Sequence, residues 1–131
     1  MWSGERPHER MKMPIPTEAK LLRVFVSDSD RLVGKPLYRA VVEKARDMDL
    51  AGATVLPAPI GFGHSRIIRT EMNVDADIGL PIVIEIIDTE EQINRFLPVL
   101  DGMMHSGLIT LERVRALQFR AKKGEPNPPP E

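Results

Sequence analysis

The hexapeptide Gly61-Phe62-Gly63-His64-Ser65-Arg66 gathers most of the residue types in this chain that suit ligand binding. Two glycines flanking an aromatic let the backbone come close to a ligand or to another chain, so that N–H groups can meet an anion. Arg66 adds a guanidinium whose planar fork matches phosphate or carboxylate, and Phe62 offers a face to an apolar moiety. Lys35 is a second candidate cation. With Arg39 it brings positive charge, and no acid, to the first turn of a predicted helix, against the helix dipole. An anion held at that helix start accounts for the reversal. The plainer reading has Asp28 and Asp30 neutralise the cations, or the charge incidental, with Phe62 in the core and the glycines only turning the chain.

The remaining motifs exclude more than they suggest. Gly34-Lys35 is not a phosphate loop, because Ser29 stands where a glycine is required and Pro36 where a serine or threonine is. Gly61-x-Gly63 lacks the third glycine of a dinucleotide fingerprint, that position being Arg66. Asn73, Asp75 and Asp77 alternate like the start of a calcium loop, yet Gly79 comes one place late and no glutamate closes the pattern. His64-Ser65 has neither a nucleophile elbow nor a third partner. His8 and His105 lie far apart in sequence, and with no cysteine the chain has no thiolate nucleophile or thiolate metal site. The expectation is a protein that binds, not an enzyme, with neither metal nor catalytic residues.

Charge and composition narrow the class. Eighteen basic against nineteen acidic side chains leave a net charge of -1, so no overall field draws nucleic acid. No apolar run approaches the roughly 18 residues of a membrane span, and the cysteine-free composition fits the cytoplasm. At 131 residues with 42% hydrophobic side chains, one domain is expected. Of twelve prolines, seven fall at positions 7, 14, 16, 126, 128, 129 and 130. Residues 1–19 and 121–131 therefore read as disordered tails flanking a folded domain at 20–120.

The elements that must position the hexapeptide follow from periodicity. Leu22, Val24 and Val26 alternate within a strand at Lys20 to Ser27. Pro36 opens a helix at its first position, with Leu37, Val41, Ala45 and Met48 on one face and Gly52 closing it. Ala53 to Leu56 is a short strand whose prolines, Pro57 and Pro59, confine its far half to an edge, a bulge or a loop start. A long surface loop then runs from Gly63 to Gly79. Leu80 to Ile87 is apolar on both faces, which predicts helices on one side and a second subunit on the other. Thr89 with Gln92 signs a capping box for a helix through Ile93, Phe96, Leu97, Leu100 and Met104, kinked by Pro98 and ended by Gly107. Val114 to Phe119 is the last strand. The order is that of an α+β, ferredoxin-like βαββαβ sandwich, an antiparallel sheet with two helices on one face.

Several of these segments, in order, carry a resemblance: Ser29-Asp30-Arg31, Gly34-Lys35-Pro36-Leu37-Tyr38, Leu50-Ala51-Gly52-Ala53-Thr54-Val55, Gly61-Phe62-Gly63, Leu80 to Glu85, and Gly107 to Leu111. From Leu21 to Phe119 the chain resembles the PII-like proteins of the domain-of-unknown-function one-ninety family. The resemblance implies a PII-like homotrimer and a signalling or regulatory role. It implies a ligand, a nucleotide among the candidates, in clefts between subunits; taken with the glycines and cations above, the expectation is a small anion held there by Lys35, Gly61, Phe62, Gly63 and Arg66. It also implies that the 63–79 loop is presented to a partner such as a membrane transporter or channel. Two departures stand out. His105 to Thr110, in the place of the phosphate-binding loop of PII proteins, lacks its lysine, and no tyrosine lies between Gly63 and Gly79. The alternative is a ligand-free structural or interaction module whose loop alone meets the partner.

Overall fold

The computed structural model describes residues 17–72 and 79–117. In chain order the elements are β1 (Thr17–Ser27), β2 (Arg31–Leu32), β3 (Lys35–Pro36), α1 (Leu37–Asp47), β4 (Thr54–Pro57), β5 (Ile60–Gly61), β6 (Arg69–Thr70), β7 (Pro81–Asp88), α2 (Glu90–Met103) and β8 (Leu108–Ala116). Four of the strands form one sheet in the order β4-β7-β1-β8, and every pairing in it is antiparallel. Both helices pack on one face, giving the ferredoxin-like sandwich expected from element order.

Alternation along the two central strands separates the faces. Leu22, Val24 and Val26 of β1 stand opposite Ile86, Ile84 and Ile82 of β7, and all six are buried in the core with Leu37 and Val41 of α1 and Phe96 of α2. The intervening residues face away from the helices. There Phe25 pairs with Val83 and Leu21 with Ile87, and Leu56 and Leu108 extend the Phe25 row to either edge. Between these apolar rows Arg23 donates from Nε to Glu85 at 2.9 Å and from Nη1 to Glu112 at 3.0 Å. The hydrogen bond to Glu85 holds the guanidinium pKa above its ordinary value. Strand 80–87 is thus apolar on both faces, but its outward face is carried by Val83 and Ile87 with Glu85 paired between them.

The ends of elements show where sequence and structure part. Pro36 is the N-cap of α1, one place before its expected position, and the first helical N–H, on Leu37, donates to the Asp30 carbonyl at 2.7 Å. The helix stops at Asp47 and not near Gly52. Asp49 takes φ 66, with Asp49 N–H on the Arg46 carbonyl and Leu50 N–H on the Ala45 carbonyl. That is a Schellman closure, in which aspartate serves because its short polar side chain tolerates the left-handed region. Thr89 caps α2 as predicted, its hydroxyl accepting from Gln92 N–H at 3.2 Å. The reciprocal half is taken by Asp88, whose Oδ1 accepts Thr89 N–H.

Two strand ends move. β1 begins at Thr17, before the expected Lys20, so its first residues belong to the segment read as a tail; residues 1–16 and 118–131 lie outside the described residues. β8 begins at Leu108, not Val114, because nine consecutive residues, Leu108 to Ala116, pair with β1. An edge strand needs no continuous apolar face, so its mixed sequence hid the first half. Gly107 precedes it at φ 124, where a Cβ would come within 2.7 Å of the Phe25 carbonyl oxygen.

Asp88 ties the layers together. It is fully buried, and its carboxylate accepts Ala51 N–H at 2.9 Å as well as Thr89 N–H at 2.7 Å. Asp88→Ala strands both donors and is expected to cost roughly 3 kcal/mol, read as a lower urea midpoint at unchanged slope.

Candidate functional site

The expected continuous loop from Gly63 to Gly79 is corrected in its first half. β6 pairs with β5, Gly61 opposite Arg69 and Ile60 opposite Thr70, so the hexapeptide forms the tip of a short hairpin. At the tip Arg66 N–H donates to the Gly63 carbonyl at 2.9 Å, and Arg66 takes a left-handed φ of 65. This turn carries the Arg66 guanidinium over the Phe62 ring, 5.3 Å from its centroid, a cation–π stack. Phe62 is 55% exposed and is not a core residue. Ile60, Ile67 and Ile68 are exposed with it.

The two glycines have different reasons. A Cβ on Gly61 would lie 2.8 Å from Pro81 Cγ, so the hairpin can sit against the start of β7 only with glycine there. Gly63 has nothing within 4 Å of the same position, so the fold of this chain alone does not demand it. The far end of the loop is pinned beside the same strand. Asp28 N–H donates to the Leu80 carbonyl and Asp28 Oδ1 accepts Leu80 N–H, both at 2.9 Å. A side chain on Gly79, at φ 67, would run into that carboxylate. Residues 73–78, including the Asn73, Asp75 and Asp77 alternation, lie outside the described residues.

Gly61, Phe62, Gly63 and Arg66 are therefore brought together, and Lys35 stands apart from them on the β2–β3 hairpin. Its Nζ donates to Glu43 at 2.6 Å, and Arg39 Nε donates to the other oxygen of the same carboxylate at 3.1 Å. Glu43, two turns along α1 from Lys35, bridges both cations and offsets one of their two positive charges. Asp28 and Asp30 do not, because they accept backbone N–H groups of Leu80 and Ser27. The stretch His105 to Thr110 is not all loop either, since Leu108, Ile109 and Thr110 are paired in β8.

Sequence reasoning passed over Arg69, which is 9% exposed, with Nε and Nη2 buried and without a hydrogen-bond partner. An arginine in a polar stretch carries no signal of burial; only its pairing with Gly61 reveals it. A separate depression of about 220 Å³, lined by Glu18, Ala19, Glu90 and Arg113, lies at the opposite end of β1 and mixes acids with a cation. Among the described residues no group of three or more acids and histidines is placed to hold a metal, and no helix is long and apolar enough to cross a membrane.

Residues 19–116 match the family model DUF190, described as "Uncharacterized ACR, COG1993". The chain belongs to this family. A UPF0166 protein of Aquifex aeolicus is 45% identical over 98 residues, covering 75% of this chain and 92% of the relative. One from Methanocaldococcus jannaschii is 30% identical over 95 residues, covering 72% and 87%. The fold is similar to that of a Thermus thermophilus protein described as a PII-like signalling protein, with TM-score 0.58 and 24% identity over 77% of this chain and 91% of the other. It is also similar to CPII, a nitrogen regulatory PII-like protein of Thiomonas intermedia solved with ADP, AMP and bicarbonate, with TM-score 0.54 and 14% identity over 76% and 96%. The DUF190 chain thus has the PII-like ferredoxin fold.

The Lys35–Glu43–Arg39 cluster sets a pH dependence. Hydrogen bonding from Lys35 holds the Glu43 carboxyl below its ordinary pKa, so its contribution to stability is complete above the unfolded value of about 4.3 and is lost as pH falls through the depressed folded value. Glu43→Gln is expected to lower the melting temperature at pH 7 and to match the wild type in more acidic buffer. A difference that persists at low pH would show that the carboxylate charge is not its source.

Proposed function

We propose that this protein is a PII-like regulatory module of the cytoplasm, not an enzyme, that assembles as a homotrimer through its open sheet face. It binds a small anionic ligand, a nucleotide among the candidates, where the β5–β6 hairpin approaches a neighbouring subunit, and presents the 63–79 loop to a protein partner such as a membrane transporter or channel.

The hairpin carries this reading. It holds a stacked Phe62–Arg66 pair, three exposed isoleucines and a glycine at 63 with open space around it. A mostly exposed apolar hairpin that its own chain leaves uncovered fits a place where something else docks. The ligands of CPII, ADP with AMP and bicarbonate, support an anion or nucleotide as the class. Gly61 and Gly63 admit backbone N–H groups to it, Phe62 packs on its apolar part, and Arg66 supplies charge that the lysine-free turn at Met104 to Gly107 does not. Lys35 is not carried into the contact set, because Glu43 already holds its ammonium. For assembly, Phe25, Leu56, Ile87 and Leu108, exposed on the open face, provide the apolar surface, and the Arg23 pairs lie among them.

Titration calorimetry with ATP, ADP, AMP and bicarbonate is expected to give saturable binding of at least one of them, weakened about tenfold or more in Arg66→Ala. Equal binding by a variant that keeps the native mass would remove Arg66 from the site. Light scattering is expected to give three subunits, and Ile87→Asp a smaller folded species, since an unpaired charge at an apolar interface is costly. A folded wild-type monomer at micromolar concentration would reject the trimer. Charges at Ile84 or Ile86 would not test it, as both side chains lie under the helices.

A further inference from the structure

Arg69 stands opposite Gly61 in the β5–β6 pair. Directly opposed residues of an antiparallel pair send their side chains to the same face. A Cβ on Gly61 would meet Pro81, so the Arg69 stem leaves the hairpin on the face turned to the start of β7 and lies across a position with no side chain of its own. That accounts for the burial of an arginine on so short a hairpin. It does not account for its nitrogens.

Nε and Nη2 are buried and without a hydrogen-bond partner, and none of the ion pairs among the described residues involves Arg69. These two atoms are not an arbitrary pair. Their N–H bonds leave the same edge of the guanidinium in parallel, and that edge takes both oxygens of a carboxylate or phosphate side-on. Buried donors of a charged group are among the most expensive to leave unmade. Asp28 and Asp30, on the turn after β1, accept Leu80 N–H and Ser27 N–H and make no ion pair with Arg69. The chemistry this fork lacks is two coplanar anionic oxygens.

We propose that Arg69 is the inner anchor of an oxyanion site at the β5–β6 hairpin, holding a carboxylate, bicarbonate or phosphate group side-on through Nε and Nη2. This rests on the reading that the hairpin takes a small anion, and it divides the work: Arg66 stays stacked on Phe62 at the surface, while Arg69 supplies the fork. It also sets a selectivity. A spherical anion such as chloride meets both N–H groups only through one bent, bifurcated contact, whereas two oxygens give each N–H its own linear bond, so a two-oxygen anion is preferred at equal ionic strength.

The test uses the full chain with 15N-labelled arginine. The Arg69 Nε–H signal, assigned through bonds from its backbone amide, is followed during titration with sodium bicarbonate, inorganic phosphate, acetate and AMP, with sodium chloride at matched ionic strength as the control. The expected result is a saturable downfield shift with at least one of the four and none with chloride. The anions that saturate separate a carboxylate-like ligand from a phosphate one. Arg69→Lys, which keeps the charge but loses the fork, is expected to weaken that ligand by about tenfold or more. If an oxyanion raises the melting temperature of the wild type while the Arg69 Nε–H does not move, Arg69 is not the anchor and the anion-binding reading survives without it. If none of the four changes either signal, both readings fall.

Discussion

The register between β1 and β7 is the constraint on which the rest of this molecule depends. With Val24 opposite Ile84, three consecutive pairs of branched or long aliphatic side chains enter the helix-covered core, and burying each such side chain stabilises by about 1.5–3 kcal/mol. A slip of β7 by one residue would turn Glu85 inward and Ile82, Ile84 and Ile86 outward. The Arg23–Glu85 pair is half exposed and adds little by itself. Its part is to make the outward face specific: apolar rows separated by a charge pair that only this register lines up.

The same register places the hairpin. Because Ser27 pairs with Pro81, the chain leaving β1 at Asp28 lies beside the chain entering β7 at Leu80, and Asp28 bonds both backbone groups of Leu80. Gly61 meets the next residue, Pro81, and Ala58 N–H donates to the Pro81 carbonyl at 3.0 Å. Both ends of the 63–79 segment are therefore fastened to the first residues of one central strand. The hairpin and the outward face of the sheet thus share β7.

Electrostatics here is mostly local accounting among neighbours. Lys35 and Arg39 share Glu43, Arg23 takes Glu85 and Glu112, and the acids of the Asp28–Asp30 turn accept backbone N–H groups. At the hairpin Arg66 rests on an aromatic face and Arg69 is buried. In a chain of net charge -1, the position of these two cations says more about ligand chemistry than their number.

The sequence by itself determined the order of the six main elements, the inward faces of β1 and both helices, the Thr89 cap and the grouping of Gly61, Phe62, Gly63 and Arg66. Each of these rests on periodicity or on residues within a few places of one another, which is what a linear reading can see. Partners distant in sequence or in an unexpected register were decided only by the tertiary structure. Which apolar face of β7 meets the helices was decided by its register with β1. Asp49 closes α1 in place of Gly52, because an aspartate in the left-handed region leaves no mark in composition. Leu108 belongs to β8, because β1 supplies partners to an edge strand whose own pattern is mixed. Lys35 lost its reason to await an anion once Glu43 came within reach, two turns further along the helix. Arg69 stood out only through its burial and its pairing with Gly61, eight residues away. Burial and pairing are properties of neighbours in space, and the chain does not write its spatial neighbours next to one another.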